Sequence, residues 1–229
     1  MTRSTGTIII PASETARYTR FYESLLQLRF PTGTSFGFSC GPSIPDNLNK
    51  GIRIMRGDWL WIMGDDHLFD PDILNRLLAR ELDVVAPLVA KRMPPFEPVI
   101  FSRLVDAERH VYKKYRYDQL PTSGLLEVPV AGTAGMLVRR PVLDAVGDPW
   151  FEARMAGPKW VGEDVLFCER IRGAGYKIHV DLDVTMGHLG NFAIWPRVEN
   201  GEWAVKIEGV QPHDREGAIH QPLGKPSDS

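Results

Sequence analysis

The chain has little with which to cross-link itself. Its two cysteines, Cys40 and Cys168, are too few and too far apart for a disulfide framework or a thiolate zinc site, and they read as buried small hydrophobes. Single-signed charge is also missing: the formal net charge is −2 and the pI about 6.3, with no acidic or basic block, so bulk charge gives no support for a nucleic-acid groove. No segment approaches the roughly 18 consecutive apolar residues of a membrane span. The amino terminus passes from Thr2-Arg3 to Ile8-Ile9-Ile10 without a long apolar region or a small-residue cleavage site. These absences predict a soluble, cytoplasmic protein with no transmembrane segment. There is no internal repeat, and 229 residues suffice for one α/β domain over the whole chain.

What is present alternates. Thr7 to Ile10 is a β-branched run ending at Pro11, and from Glu14 the apolar residues Tyr18, Phe21, Tyr22, Leu25 and Leu26 recur at helical spacing. Ser35 to Ser39 reads as a second strand, Ser43 to Arg56 as a helix, and Trp59 to Met63 as a strand buried on both faces. Asp70 is placed to cap a helix with Pro71 at its first position and Ile73, Leu74, Leu77 and Leu78 as its buried stripe; Val84 to Val89 is the next strand. Strands and helices in alternation predict a mostly parallel sheet with helices on both faces and a ligand site beyond the strands' carboxyl ends. Lys91 to Pro98 is a proline-rich loop, and Tyr112 to Tyr117 an exposed hairpin. Val128 to Arg139 reads as strand, glycine-rich turn, strand, followed by a helix from Pro141 to Val146. A helix opens at Glu163-Asp164, where two acids suit its positive end, and stops at Gly173 and Gly175. Beyond His188 the pattern weakens into a tail over about 191–229.

At the end of the third strand stand Asp65, Asp66 and His67, whose oxygen and nitrogen atoms suit a divalent cation. The plainer alternative is an acidic turn followed by a helix cap.

In order along the chain come Ile8-Ile-Ile-Pro11 with Glu14, Asn49-x-Gly51-Ile52 before Gly57-Asp58-Trp59, the Asp65 cluster, Gly132-Thr-Ala-Gly135-Met136-Leu-Val-Arg139-Arg140, Gly162-Glu163-Asp164 and the late His188. This series resembles the GT-A-type glycosyltransferases, most closely those of family 2, over roughly residues 6–190. The resemblance implies a Rossmann-like GT-A sheet with a small additional hairpin region. A nucleotide-sugar-binding part would cover about 6–90 and an acceptor and catalytic part about 91–190. It implies a nucleotide diphosphate sugar as donor and Mn²⁺ or Mg²⁺ as cofactor. The family's cation motif, Asp-x-Asp or Asp-x-His, fits in two registers: Asp65-Asp66-His67 as a complete DxH, or Gly64-Asp65-Asp66 with its first carboxylate missing. The first is favoured, with His188 as a distant ligand.

By the same resemblance Asp164 is the base that takes the acceptor's proton, with Glu163 as the neighbouring alternative. Pro11, Ala12, Ser13 and Glu14, together with Asn49, Asp65, Asp66 and Gly135, fall where relatives hold the donor. Trp160 and Trp195 are candidates for stacking on sugar, and Arg139 and Arg140 for phosphate; core packing and a solvated strand end are the competing readings. The expected activity is hexosyl transfer, inversion slightly favoured, to an acceptor the sequence does not specify: glycan, protein, lipid or modified nucleic-acid base. Nor does it specify the oligomeric state. Two alternatives remain. A sugar nucleotidyltransferase would want a glycine-rich basic loop after the first strand, and Pro11-Ala-Ser-Glu14 has neither glycine nor lysine. A noncatalytic carbohydrate-binding protein on a degenerate transferase fold is motivated by Gly64.

Overall fold

The computed structural model describes residues 4–12, 18–190, 192–209 and 219–222. The first half runs β1 (Gly6–Pro11), α1 (Thr19–Gln27), β2 (Ser35–Ser39), α2 (Ile44–Arg53), β3 (Trp59–Ile62), β4 (His67–Leu68), α3 (Ile73–Leu78) and β5 (Val84–Val89). A hairpin of β6 (Ile100–Asp106) and β7 (Val111–Lys114) precedes β8 (Leu125–Val128), β9 (Val130–Ala131), β10 (Leu137–Arg139) and α4 (Arg140–Val146). Then come a second hairpin of β11 (Arg154–Ala156) and β12 (Lys159–Val161), α5 (Glu163–Gly173), β13 (Ile178–Leu189), β14 (Phe192–Glu199), β15 (Glu202–Gly209) and β16 (Ile219–Pro222).

The main sheet has the order β16-β15-β14-β13-β5-β10-β3-β1-β2. Strands β2, β1, β3, β5 and β13 share one direction, and β10 is inserted antiparallel between β3 and β5. The expected mostly parallel sheet is therefore present at the centre. The apolar runs are continuous because both faces are covered. Ile9, Leu60, Ile62, Val84 and Ala86 face α2, α4 and α5 through Leu48, Ile52, Val142, Leu143, Phe167 and Ile171. The alternate residues Ile8, Ile10, Trp59, Trp61, Met63 and Val85 face α1 and α3 through Phe21, Ile73, Leu74 and Leu77. Burying a large apolar side chain is worth roughly 1.5–3 kcal/mol, so these two sets hold the strand ends rigidly beneath the cleft.

Several local expectations change. Helix α2 stops at Arg53 rather than Arg56, and Ser43 caps it by accepting from Asp46 N. Helix α3 begins at Ile73 with Asp72 at the cap; Asp70 Oδ1 accepts from Asp72 N and so closes a turn before the helix. On α1 Phe21 is buried, but Tyr22 and Leu26 are exposed. Cys168 is buried as expected, whereas Cys40 is exposed, just past the end of edge strand β2. Residues assigned to a tail form β14 to β16, an antiparallel extension of the sheet beyond β13.

Strand β13 is irregular. Asp181 is opposite Pro87 but Thr185 is opposite Leu88, so residues 182–184 bulge between one pair and the next. A fully buried Asp181 anchors the bulge, its two oxygens accepting from Arg80 Nε at 2.7 Å and Nη2 at 3.0 Å. Beyond the bulge β13 pairs with β4, His188 directly opposite His67.

Candidate metal and catalytic cleft

Beyond the carboxyl ends of β1, β3 and β5 lies a cleft of about 450 Å³. The ends of β1 and α2 contribute Pro11, Ala12 and Asn47 to it; the turn after β3 contributes Gly64, Asp65, Asp66 and His67. An adjoining chamber of about 180 Å³ shares His67, Thr133, Ala134, Glu163 and His188 with it and adds Asp164. Two spaces in contact, one near the strand ends and one under α5, give room for two reactants meeting at the shared residues.

At the junction, ligand atoms of Asp66, His67 and His188 lie within 4.8 Å of one another. The pairing of β4 with β13 sets His67 opposite His188, and their rings stack with centroids 4.4 Å apart at 20°. Asp66 Oδ2 is 3.5 Å from His188 Nε2, and Asp66 Oδ1 is 2.8 Å from His67 Nδ1. His188 Nδ1 lies 2.9 Å from the carbonyl oxygen of Ala90. A carbonyl can only accept, so Nδ1 carries the hydrogen and Nε2 is the nitrogen that faces Asp66; fixing the far nitrogen in this way is how proteins orient ligating imidazoles.

His67 is buried, and neither ring nitrogen has an aligned hydrogen-bond partner, the Asp66 contact included. Buried polar atoms left in this state cost about 1–3 kcal/mol each. A divalent cation taking a nitrogen lone pair would offset that cost, and one carboxylate with two imidazoles is a donor set that Mn²⁺ accepts and Mg²⁺ accepts less readily. The three residues fit such an ion. Burial pushes the Asp66 carboxyl up, but the close approach of His188 and His67 outweighs it and holds the group well below the usual carboxylate range. Burial pushes the His67 imidazole down, against the opposing pull of Asp66.

Gly64 bears on the two registers. A Cβ there would lie 2.9 Å from His67 Nδ1 and 3.0 Å from Asp66 Oδ1. A carboxylate at position 64 would press on both side chains, so the first acid missing from the second register could stand there only if His67 and Asp66 shifted. The structure takes one member from each register: Asp66 and His67 join His188, while Asp65 lines the cleft outside that group.

Asp164 stands in the first turn of α5, partly buried, with Oδ1 accepting from Val165 N at 2.8 Å. Burial first, and then the charge of Glu163, push its carboxyl up to about 6. That places it closer to neutrality than an ordinary aspartate, which improves it as a general base.

The remaining candidates separate. Pro11 and Ala12 line the cleft; Ser13 and Glu14 lie outside the described residues. Asn49 is buried away from it, with Nδ2 donating to Phe151 O at 2.8 Å and Oδ1 accepting from Phe151 N at 2.9 Å. Gly135 adopts φ +75 beneath the turn, where a Cβ would meet Met186 Sδ at 2.5 Å, and its carbonyl accepts from Trp61 Nε1 at 2.8 Å. Arg139 and Arg140 donate to the carbonyls of Leu82 and Gly57 at the opposite end of the sheet. Trp195 packs under Gly187 with Arg197 over its ring, and Trp160 is 62% exposed on the β11–β12 hairpin.

Two cleft residues escaped the sequence reading. Asn47 lines the cleft with Oδ1 buried and without a hydrogen-bond partner among the described residues, and a helical asparagine carries no signal of that kind in sequence. Arg92, just past β5, places Nη1 3.2 Å from Asp66 Oδ2. It follows a strand's carboxyl end, and the rule that pointed to Asp65 would have pointed to it as well.

Residues 44–147 match the family model described as glycosyl transferase family 2, a stretch that includes Asp65 to His67 and the 131–135 turn but ends before Glu163, Asp164 and His188. No curated protein sequence matches the chain. Among solved structures, A197 from STIV shares the fold with a TM-score of 0.55 at 13% identity, over 84% of this chain and 90% of that one. S. aureus TarS 1-349, solved in complex with UDP-GlcNAc, gives a TM-score of 0.46 at 14% identity over 78% of this chain and 55% of that one. The sheet order and the helices on both faces give this protein a GT-A, family 2-like fold, and its residues 44–147 are similar to the glycosyl transferase family 2 model.

Proposed function

We propose that the protein is a metal-dependent glycosyltransferase of hexosyl type, moving a sugar from a nucleotide diphosphate sugar to an acceptor hydroxyl, with inversion. The observation that carries this reading is the convergence of Asp66, His67 and His188 at the junction of two chambers, one of which also holds Asp164.

In this reading the nucleoside rests against Pro11, Ala12 and Asn47, and the diphosphate lies toward Asp66. Asp66, His67 and His188 hold Mn²⁺ or Mg²⁺, which when bound stabilises negative charge on the leaving diphosphate. Asp164 takes the acceptor hydroxyl's proton on its Oδ2, since Oδ1 is engaged by Val165 N. Burial and the neighbouring Glu163 raise its proton affinity, and withdrawal from water keeps the carboxylate from being solvated before the acceptor arrives. The hairpin of β6 and β7 and the loop before it, within the acceptor part, decide what that acceptor is. The protein acts in the cytoplasm as one domain.

The test is donor turnover with Mn²⁺ across a panel of nucleotide sugars. Release of free nucleotide diphosphate, abolished by chelation, is the expected result. Pyrophosphate-dependent chemistry would point to a nucleotidyltransferase, and neither activity would leave a carbohydrate-binding protein.

A further inference from the structure

We infer that Arg92 is an exchangeable counter-ion: it neutralises Asp66 while the cleft is empty and transfers to the donor's diphosphate when the cleft is filled. This rests on the reading just given. The Asp66 carboxylate brings a negative charge to the cleft, and Arg92 faces it through Nη1, 3.2 Å from Oδ2. The same oxygen is the one 3.5 Å from His188 Nε2, so a dication bridging those atoms would meet a like charge at close range. Two cations at one carboxylate oxygen repel each other, and a diphosphate would supply the further anion that draws the guanidinium away.

The surroundings suit a side chain that moves. The loop that carries Arg92 is closed at its base, where Lys91 N donates to Glu97 O at 2.9 Å and Lys91 Nζ and Lys114 Nζ converge on Glu97 Oε2 at 3.0 and 2.9 Å. Arg92 lies past that clamp with its side chain 42% exposed, against 16% for Asp66, and it lines the cleft. Its stem passes Gly190, where a Cβ would lie 3.7 Å from Cδ. The contact with Asp66 is an ion pair rather than a bidentate fork, so the guanidinium gives up little geometry on leaving.

Such a residue opposes one ligand and assists the other. Replacing it with the neutral Arg92→Gln should tighten binding of Mn²⁺ alone, followed by the electron paramagnetic resonance of free Mn²⁺, on the order of tenfold. The same variant should weaken binding of inorganic pyrophosphate in the presence of a chelator, followed by calorimetry, by a similar factor. Arg92→Lys, which keeps the charge, should stay near the parent in both. A residue that only supported the loop would shift both affinities the same way, so opposite signs are the discriminating result. If the parent binds Mn²⁺ and pyrophosphate but Arg92→Gln leaves both unchanged, or weakens both, the counter-ion role is overturned and the metal reading survives. If the parent binds neither, the metal reading falls and this inference with it.

Discussion

Asp164→Asn should lose turnover and gain stability, and both effects trace to one proton. The carboxyl sits at about 6 against an ordinary 3.8. At about 1.36 kcal/mol per pH unit the difference corresponds to roughly 3 kcal/mol as an upper bound. Because folding raises this pKa, the folded protein holds the proton more tightly than the unfolded chain does. The stabilising contribution is complete below about pH 4 and is lost as the pH rises through about 6. Above that, the ionised group sits in the fold at full cost, whereas asparagine never ionises and its Oδ1 can still accept from Val165 N. Asp164→Asn should therefore exceed the parent by about 2–3 kcal/mol in urea unfolding at pH 7.5 and match it at pH 4. Turnover at saturating donor should fall about 10²- to 10⁴-fold with donor KM unchanged. In the parent, kcat/KM should drop about tenfold per pH unit below 6. A variant less stable than the parent at neutral pH, or one that keeps its turnover, would refute both the environment assigned to this carboxylate and its role.

Three further substitutions separate ligands from scaffold. Asp66→Ala should abolish metal-dependent nucleotide binding in titration calorimetry with the fold retained by circular dichroism; retained binding would exclude Asp66 as a ligand. Gly64→Ala should weaken Mn²⁺ binding by about tenfold and destabilise the fold by about 1 kcal/mol, since its methyl would press on His67 and Asp66; normal Mn²⁺ affinity would remove the steric argument. Asn49→Ala should lower stability by about 2 kcal/mol, leaving two Phe151 backbone groups unpaired, with donor KM unaffected. A raised KM at unchanged stability would return Asn49 to the donor site.

The centre of the sheet was legible because strands buried on both faces leave continuous apolar runs, and both β2 and β5 keep the bounds read from sequence. The antiparallel β10 was not, since a run as short as Leu137–Arg139 says nothing of its direction or neighbours. The strands after His188 were hidden because Pro196 lies inside β14, where proline argues against a strand, and exposed residues alternate irregularly with buried ones. At the cleft, the Asp65 cluster and the late histidine stood out by residue type and position. Which carboxylate joins the imidazoles did not, because that depends on the room left by Gly64 and on the pairing of β4 with β13, both tertiary facts.

Strand β13 carries its own phase setting. Successive side chains of a strand alternate between faces, so the residues in the bulge at 182–184 fix which side His188 will reach. Loss of a single residue there would rotate every later position by half a period and carry the imidazole away from Asp66, however intact the cleft itself. Through the bulge, the Arg80–Asp181 anchor helps to set where His188 stands, seven residues further along the same strand.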